Sequence, residues 1–440
     1  MIATNGCRSV LLSSPFQVQG ESGLMSRIAR WLAAAMAPAL VGALALTHLT
    51  RIEPIPSRPP VRPAYPLTRT TPPIPDLDAP ESSSEIPTLS EAARMEIEKR
   101  EHALANELSK MWTRNPGELV SVIDDAARQA PTSPSVTLLL AIAHAETNGK
   151  ILDVSEAGAV GLAQATPIAI RQEQFGGKMF VTADYLVGSR AYILKKPLGD
   201  ADTIASLIVA HDDAKTRKKA RRLLASAMSL RREGVDELYL LDTFASKHYG
   251  ESIENADEIN RRVLRRLKRL LDSGSRGQIR EFRDRTRRQY RQLKRTQVRS
   301  WAQYQQDLIA ERDRMLEEHF GEPATAIRKE HPYEAGEYLG ETLDLRFSPA
   351  KMSAFLVRHL ERKAEEARNL ASSRHNVEEM TAALYNGGSQ NVKRMLAGLI
   401  ASLPETERYM KKVPATRRRL DHSIEIAGAQ LSGSREHTLR

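Results

Sequence analysis

The sequence predicts an all-α protein carrying one unusually long helical segment. Three observations carry that expectation. No stretch alternates apolar and polar residues as a half-buried strand must. Ala, Leu, Arg and Glu, all good helix formers, dominate a chain that is 41% hydrophobic but only 5% aromatic. Residues 277–320 run without a proline until the stop signal "HFGEP" at 319–323. At 440 residues the chain has room for two or three domains, and no repeat of solenoid period divides it.

Taken in order, residues 1–50 read as an N-terminal signal peptide or membrane anchor. Arg27 and Arg30 precede the apolar stretch "WLAAAMAPALVGALALTHL" at 31–49. Its nineteen residues are just enough to span a bilayer, and "ALA" at 43–45 suits cleavage after Ala45. Met25 stands directly before this region as a possible start. Either reading exports the body to the cell envelope or periplasm. The single cysteine, Cys7, lies upstream, so a body exported to an oxidising compartment has no thiol to mispair and no cysteine-based zinc site. Residues 51–87 are proline-rich and read as an extended linker.

Residues 88–130 form a helical lead-in. "TLSE" at 88–91 predicts a capping box for a helix from Glu91 to about Trp112, and "NPGE" at 115–118 opens a second. "TSPSV" at 132–136 predicts Ser133 as N-cap, Pro134 at the first helical position and a helix from Ser135 to about Glu146, stopped by Asn148-Gly149.

Glu146 shares a face of that helix with Leu139, Ile142 and Ala143. A carboxyl on an apolar face tends to keep its proton, which is what a general acid needs near neutral pH. In "SEAGAVGLAQATP", Ser155, Gly158, Gly161 and Gln164 follow Glu146 at nine, twelve, fifteen and eighteen residues. The glycines permit a tight turn and close backbone approach to a ligand. Ser155 and Gln164 place neutral hydrogen-bonding groups beside the acid. That chemistry suits a polyhydroxyl ligand better than a phosphate, because no lysine follows the glycines.

This stretch resembles the lytic transglycosylase family, of the soluble lytic transglycosylase-like and goose-type lysozyme superfamily. The family signature runs Glu-Ser, Ser, Gly-Ala-x-Gly-Leu-Met-Gln and Pro in this order and spacing. Two further family motifs have counterparts downstream, "AALYNGGSQNVKRML" at 382–396 and "LPETERYMKKV" at 403–413. Thr147, Ala163 and Gly387 depart from the family's Ser, Met and Ala, and Ala163 should widen the groove or admit a side chain from elsewhere. The resemblance implies a lysozyme-like helical catalytic domain that cleaves the β-1,4 bond between N-acetylmuramic acid and N-acetylglucosamine. It implies Glu146 as the single catalytic acid and base, a 1,6-anhydro-muramyl product, and no metal or other cofactor. Tyr385 would hold the geometry of Glu146, and Ser155, Gln164 and Asn386 would contact sugars. The alternative expectation is a catalytically weak or inactive lysozyme-like envelope scaffold that binds glycan and recruits partners through a helical insertion.

The downstream elements agree with such a domain. Ser348 and Pro349 open a helix whose apolar stripe runs Met352, Phe355, Leu356, His359, Leu360, Ala364, Ala367 and Ala371. Asn376 and Glu379 form a capping box for a short helix ended by Gly387-Gly388. His144 and His359 are read as structural.

The catalytic domain is thus expected as 131–190 and 340–413, with a tail at 414–440, interrupted by a basic helical hairpin or coiled-coil insertion at 191–339. Residues 277–320 predict a helix of about 65 Å, marked by Phe282, Thr286, Tyr290, Leu293, Gln297, Trp301, Tyr304 and Leu308. Phe282, Leu293, Tyr304 and Met315 repeat every eleven residues, which suits a nearly straight pairing. The expected partner is the helix around 259–273, or one within 200–248. The formal net charge of +10 resides here: residues 261–300 hold sixteen Lys and Arg against three Asp and Glu, a local +13. Expected partners of the segment are an anionic envelope polymer, the membrane surface or an envelope protein. The export signal argues against nucleic acid.

Overall fold

The computed structural model describes residues 90–112, 116–130, 134–244, 253–371, 376–401 and 403–438. The signal or anchor segment, Cys7, the linker, Thr88 and Ser133 lie outside them. Among the described residues there are fourteen α-helices, one 3-10 turn and no strand, so the all-α expectation holds. None of these helices is long and apolar enough to cross a membrane.

Local capping explains where the first helices start. α1 (Glu91–Ser109) is capped by Ser90, whose Oγ accepts from the Ala93 amide at 3.3 Å, so the cap is the serine of "TLSE" rather than its threonine. α2 (Gly117–Arg128) follows Pro116. α3 (Val136–Thr147) is capped by Ser135, not Ser133: Ser135 Oγ accepts from the Leu138 amide at 3.3 Å, and Pro134 therefore precedes the cap. Asn148, at φ +52°, ends α3 in the left-handed conformation that the Asn-Gly pair predicted.

After α4 (Pro167–Gln172) come the long helices α5 (Ala183–Ala210), α6 (Ala214–Asp242), α7 (Ile253–Ser273) and α8 (Arg276–Phe320). Ser275 and Gln278 form a full capping box for α8, and Gly321 ends it at φ +72°. Its 45 residues span about 67 Å at about 1.5 Å each. The remaining elements are α9 (Ala324–Glu330), α10 (Pro332–Thr342), the 3-10 turn Leu345–Phe347, α11 (Pro349–Leu370), α12 (Val377–Gly387), α13 (Ser389–Leu396) and α14 (Pro404–Thr438). Ser348 caps α11, and Asn376 with Glu379 boxes α12, both as expected.

α8 connects two cores. Its first turns place Ile279 and Phe282 among Ile204 and Ile208 of α5, Leu223 of α6 and Leu264 of α7. Its second half places Tyr304, Leu308 and Leu316 in the main core with Leu139 and Ile142 of α3, Leu339 of α10 and Phe355 of α11. A third cluster joins Ala367, Met380, Leu384 and Met410 under α12. The chief partner of α8 is α5, which begins well before the stretch expected to supply it. Glycine is the reason: a Cβ on Gly188 would lie 2.4 Å from the Trp301 ring, so only glycine lets the two axes approach. Tyr290 and Leu293 are half-buried, and Leu316 rather than Met315 is fully enclosed. Residues 190 and 191 both lie inside α5, and 339 and 340 inside α10, so both seams of the expected insertion run through continuous helices.

Candidate functional site

The Gly-rich turn after α3 folds into two isolated bridges, Val154 with Val160 and Val160 with Ala165. Gly158 and Gly161 take φ of +73° and +72°. A Cβ on Gly158 would meet the Tyr304 ring at 2.4 Å, and one on Gly161 would meet the Arg346 carbonyl oxygen at 2.0 Å. The glycines thus let the turn sit directly on α8 and on the 3-10 segment.

Arg346 holds it there. This guanidinium is fully enclosed and pairs with the equally enclosed Asp344 at 2.6 Å. It also donates to the carbonyls of Gly158 at 2.8 Å and Ala165 at 3.2 Å, and to the Tyr304 hydroxyl at 2.8 Å. The Tyr304 hydroxyl in turn donates to the Phe180 carbonyl at 2.8 Å. Gln305 and Arg312 of α8 donate to the Val154 and Leu152 carbonyls at 2.8 and 2.7 Å. Every donor in this set ends on an acceptor, the condition under which a buried charge is tolerable.

Glu146, near the C-terminal end of α3, is half-buried and lines a groove of about 620 Å³. Loss of water pushes its carboxyl up from 4.5 to about 7. The Tyr409 hydroxyl and Lys412 oppose that shift, and the nearby charge of Glu405 adds to it. Tyr409 faces the carboxyl without completing a hydrogen bond of normal geometry, and its buried hydroxyl has no such partner among the described residues. Burial and the Glu146 charge hold both Tyr385 and Tyr409 well above the usual phenol range, so both remain donors.

All five residues singled out from the sequence line this one groove: Glu146, Ser155, Gln164, Tyr385 and Asn386. Four of them already have structural bonds. Ser155 Oγ accepts from the Ala159 amide at 2.9 Å, and Gln164 Nε2 donates to the Gly161 carbonyl at 3.0 Å. The Tyr385 hydroxyl donates to the Ala163 carbonyl at 2.5 Å rather than to Glu146, and Asn386 Oδ1 accepts from Thr406 at 3.0 Å. The Ser155 proton, the Gln164 carbonyl and the Asn386 amino group remain for a ligand.

The two histidines differ. His144 Nδ1 accepts from Trp112 Nε1 at 2.7 Å, and burial lowers its pKa to about 4, so it is a neutral packing group. His359 lines the groove, and its Nδ1 lies 2.5 Å from Glu173. Glu405, exposed at the groove edge, and Tyr192 and Trp301 from α5 and α8 also line it. The sequence marked Trp301 only as a packing position, because nothing in the order of residues says which edge of a 45-residue helix returns to the acid. Among the described residues no cluster of three His, Cys, Asp or Glu could hold a metal ion.

No protein-family model, curated protein or solved structure matches this chain.

Proposed function

We propose that the protein is a peptidoglycan lytic transglycosylase with a lysozyme-like catalytic unit, acting outside the cytoplasmic membrane, and that Glu146 is its catalytic acid and base. The observation that carries this reading is a carboxyl with its pKa near 7 in a groove edged by neutral hydrogen-bonding groups. The order of the three sequence motifs supports it.

Protonated Glu146 gives its proton to the glycosidic oxygen as the bond from the N-acetylmuramic acid C1 breaks. The carboxylate so formed takes the proton of the same sugar's C6 hydroxyl as that oxygen bonds to C1 and closes the 1,6-anhydro ring. No water is consumed, and the acid returns to its starting state. A pKa near the working pH suits a group that must do both. Tyr385 and Tyr409 flank the carboxyl, and the free polar groups of Ser155, Gln164 and Asn386 are placed to orient the sugars.

Glu405 favours a second reading, hydrolysis by a pair of carboxylates with Glu405 activating water. Product analysis decides between them. The full chain, wild type and Glu146→Gln, is incubated with purified peptidoglycan and the released fragments are weighed by mass spectrometry. The transglycosylase gives anhydro-muramyl products from wild type and at least a thousandfold less from Glu146→Gln. Reducing-end products would identify a hydrolase. No products from either, with glycan still pelleting the protein, would leave the glycan-binding scaffold.

A further inference from the structure

Where the groove passes from α12 to α13, three side chains that glycan cleavage leaves unused come together. Ser389, the first residue of α13, lines the groove with Lys363 of α11. Lys363 Nζ donates to Ser389 Oγ at 2.6 Å, and Ser389 Oγ donates to Glu366 Oε2, also at 2.6 Å. The other carboxylate oxygen of Glu366 pairs with Lys393 at 2.9 Å, and Lys393 is held in turn by Glu233 of α6 at 3.1 Å. Lys363 is buried, at 5% exposure, and Ser389 is half-buried, so the serine is the more open of the two. Gly388 precedes it at φ +71°, and a Cβ placed there would meet nothing within 4 Å. Open space therefore lies directly beside Ser389. α13 has no side-chain cap, and the first amides of a helix lack intrahelical acceptors.

We propose that Ser389 is the nucleophile of a second catalytic centre that hydrolyses carboxylic esters, with Glu366 as its base and Lys363 as the cation at its oxygen. Serine, lysine and glutamate form a set that supports acyl transfer in unrelated enzymes. A serine hydroxyl is a weak nucleophile until a base takes its proton. Glu366 accepts that proton, and Lys393 fixes its orientation. The Lys363 ammonium stabilises the alkoxide as it forms. Ser389 Oγ bonds to the ester carbonyl carbon while its proton passes to Glu366. The bond from that carbon to the alcohol oxygen then breaks, and the alcohol leaves with the proton. Water attacks the acyl-serine, gives a proton to Glu366 and releases the acid as that proton returns to Ser389 Oγ. Ester and water become acid and alcohol, with no other reactant. The first amides of α13 are the donors for the carbonyl oxygen. Esters are the substrate class because an alkoxide leaves a tetrahedral centre far more readily than an amide anion. This centre does not depend on the reading of Glu146.

The test uses the full chain and two probes. A fluorophosphonate should form an adduct at Ser389, located by peptide mass spectrometry, and p-nitrophenyl acetate should turn over in steady state. Ser389→Ala should lose the adduct and nearly all turnover. Glu366→Gln should slow both reactions at least about a hundredfold. Thermal melts report whether each variant is folded. A wild-type chain without an adduct at Ser389 overturns the proposal, even where a variant fails to fold. Ester turnover unchanged in a folded Ser389→Ala also overturns it and leaves Ser389 as a bridge between α11 and α13. Anhydro-muramyl products from a wild type unlabelled at Ser389 would remove this centre alone. A labelled, ester-cleaving wild type without those products would remove the transglycosylase and leave this centre.

Discussion

At the scale of single residues, α3 carries two titrating groups with opposite effects on stability. Glu146 holds its proton up to about pH 7 when folded and to about 4.5 when unfolded, so the stability it contributes is full below pH 4.5 and is lost as pH rises to 7. His144 titrates at about 4 folded and 6.5 unfolded, so its contribution is present above pH 6.5 and lost as pH falls to 4. Over the shared range the two slopes oppose each other. Glu146→Gln leaves the His144 slope alone. It should match wild type below pH 4.5 and exceed it by up to about 3 kcal/mol above pH 7. Urea denaturation at pH 4.5 and 8 checks this, and equal gains at both values would mean the carboxyl is not held protonated. Glycan cleavage should likewise decline as pH rises past 7, because the acid form is lost. Arg346→Met leaves Asp344 charged and enclosed and should cost about 3–5 kcal/mol, whereas Arg346→Met with Asp344→Asn should cost less than that single change. Denaturant midpoints of the three variants decide it.

At the scale of elements, the turn and α8 act as one unit. The glycines were legible in "SEAGAVGLAQATP" as a tight turn, but what presses against them was not. Gly161→Ala both forces a left-handed alanine and drives a methyl into the Arg346 carbonyl. A loss above about 2 kcal/mol, with glycan cleavage lost together with the fold, is expected in a thermal melt; a melt like that of wild type would show that the turn can move away from the 3-10 segment. The helix stops and caps that were read correctly, at Asn148, Ser348 and Asn376, depend on atoms within four residues of one another. Ser133 and Ser135 both precede a plausible first turn, and it is Ser135 whose Oγ accepts from the Leu138 amide. Capping is thus legible where one residue can do it and ambiguous where two can.

At the scale of the whole molecule, the basic segment spans the second core. Among its charges Arg265, Arg266, Lys268, Arg269, Arg285, Arg288, Arg291, Arg295 and Arg299 are exposed. An anionic polymer or headgroup layer is the partner we propose for that surface. Retention of the full chain on vesicles containing anionic lipid should fall steeply between 50 and 300 mM salt, and charge reversal at Arg288, Arg291 and Arg295 should abolish it without changing the melt. Retention insensitive to both would exclude a charge-driven surface.

The sequence by itself determined the helical class, the end of α3 at Asn148, the length of α8 and the groove-lining places of Glu146, Ser155, Gln164, Tyr385 and Asn386. The first three follow from local propensity or a short cap; Glu146, Ser155 and Gln164 follow from one short stretch, and Tyr385 and Asn386 only from the resemblance to the lytic transglycosylase motifs. Only the tertiary structure decided that α5 is the chief partner of α8, that Arg346 and Asp344 hold the Gly-rich turn, and that Trp301 and Gln390 reach the groove of Glu146. The physical reason is distance along the chain. Arg346 lies 188 residues from the Gly158 carbonyl it binds, and Gln390 lies 194 from Lys196. Such contacts are selected by which faces can pack without clash and which buried donors find an acceptor, and neither leaves a periodicity in the sequence.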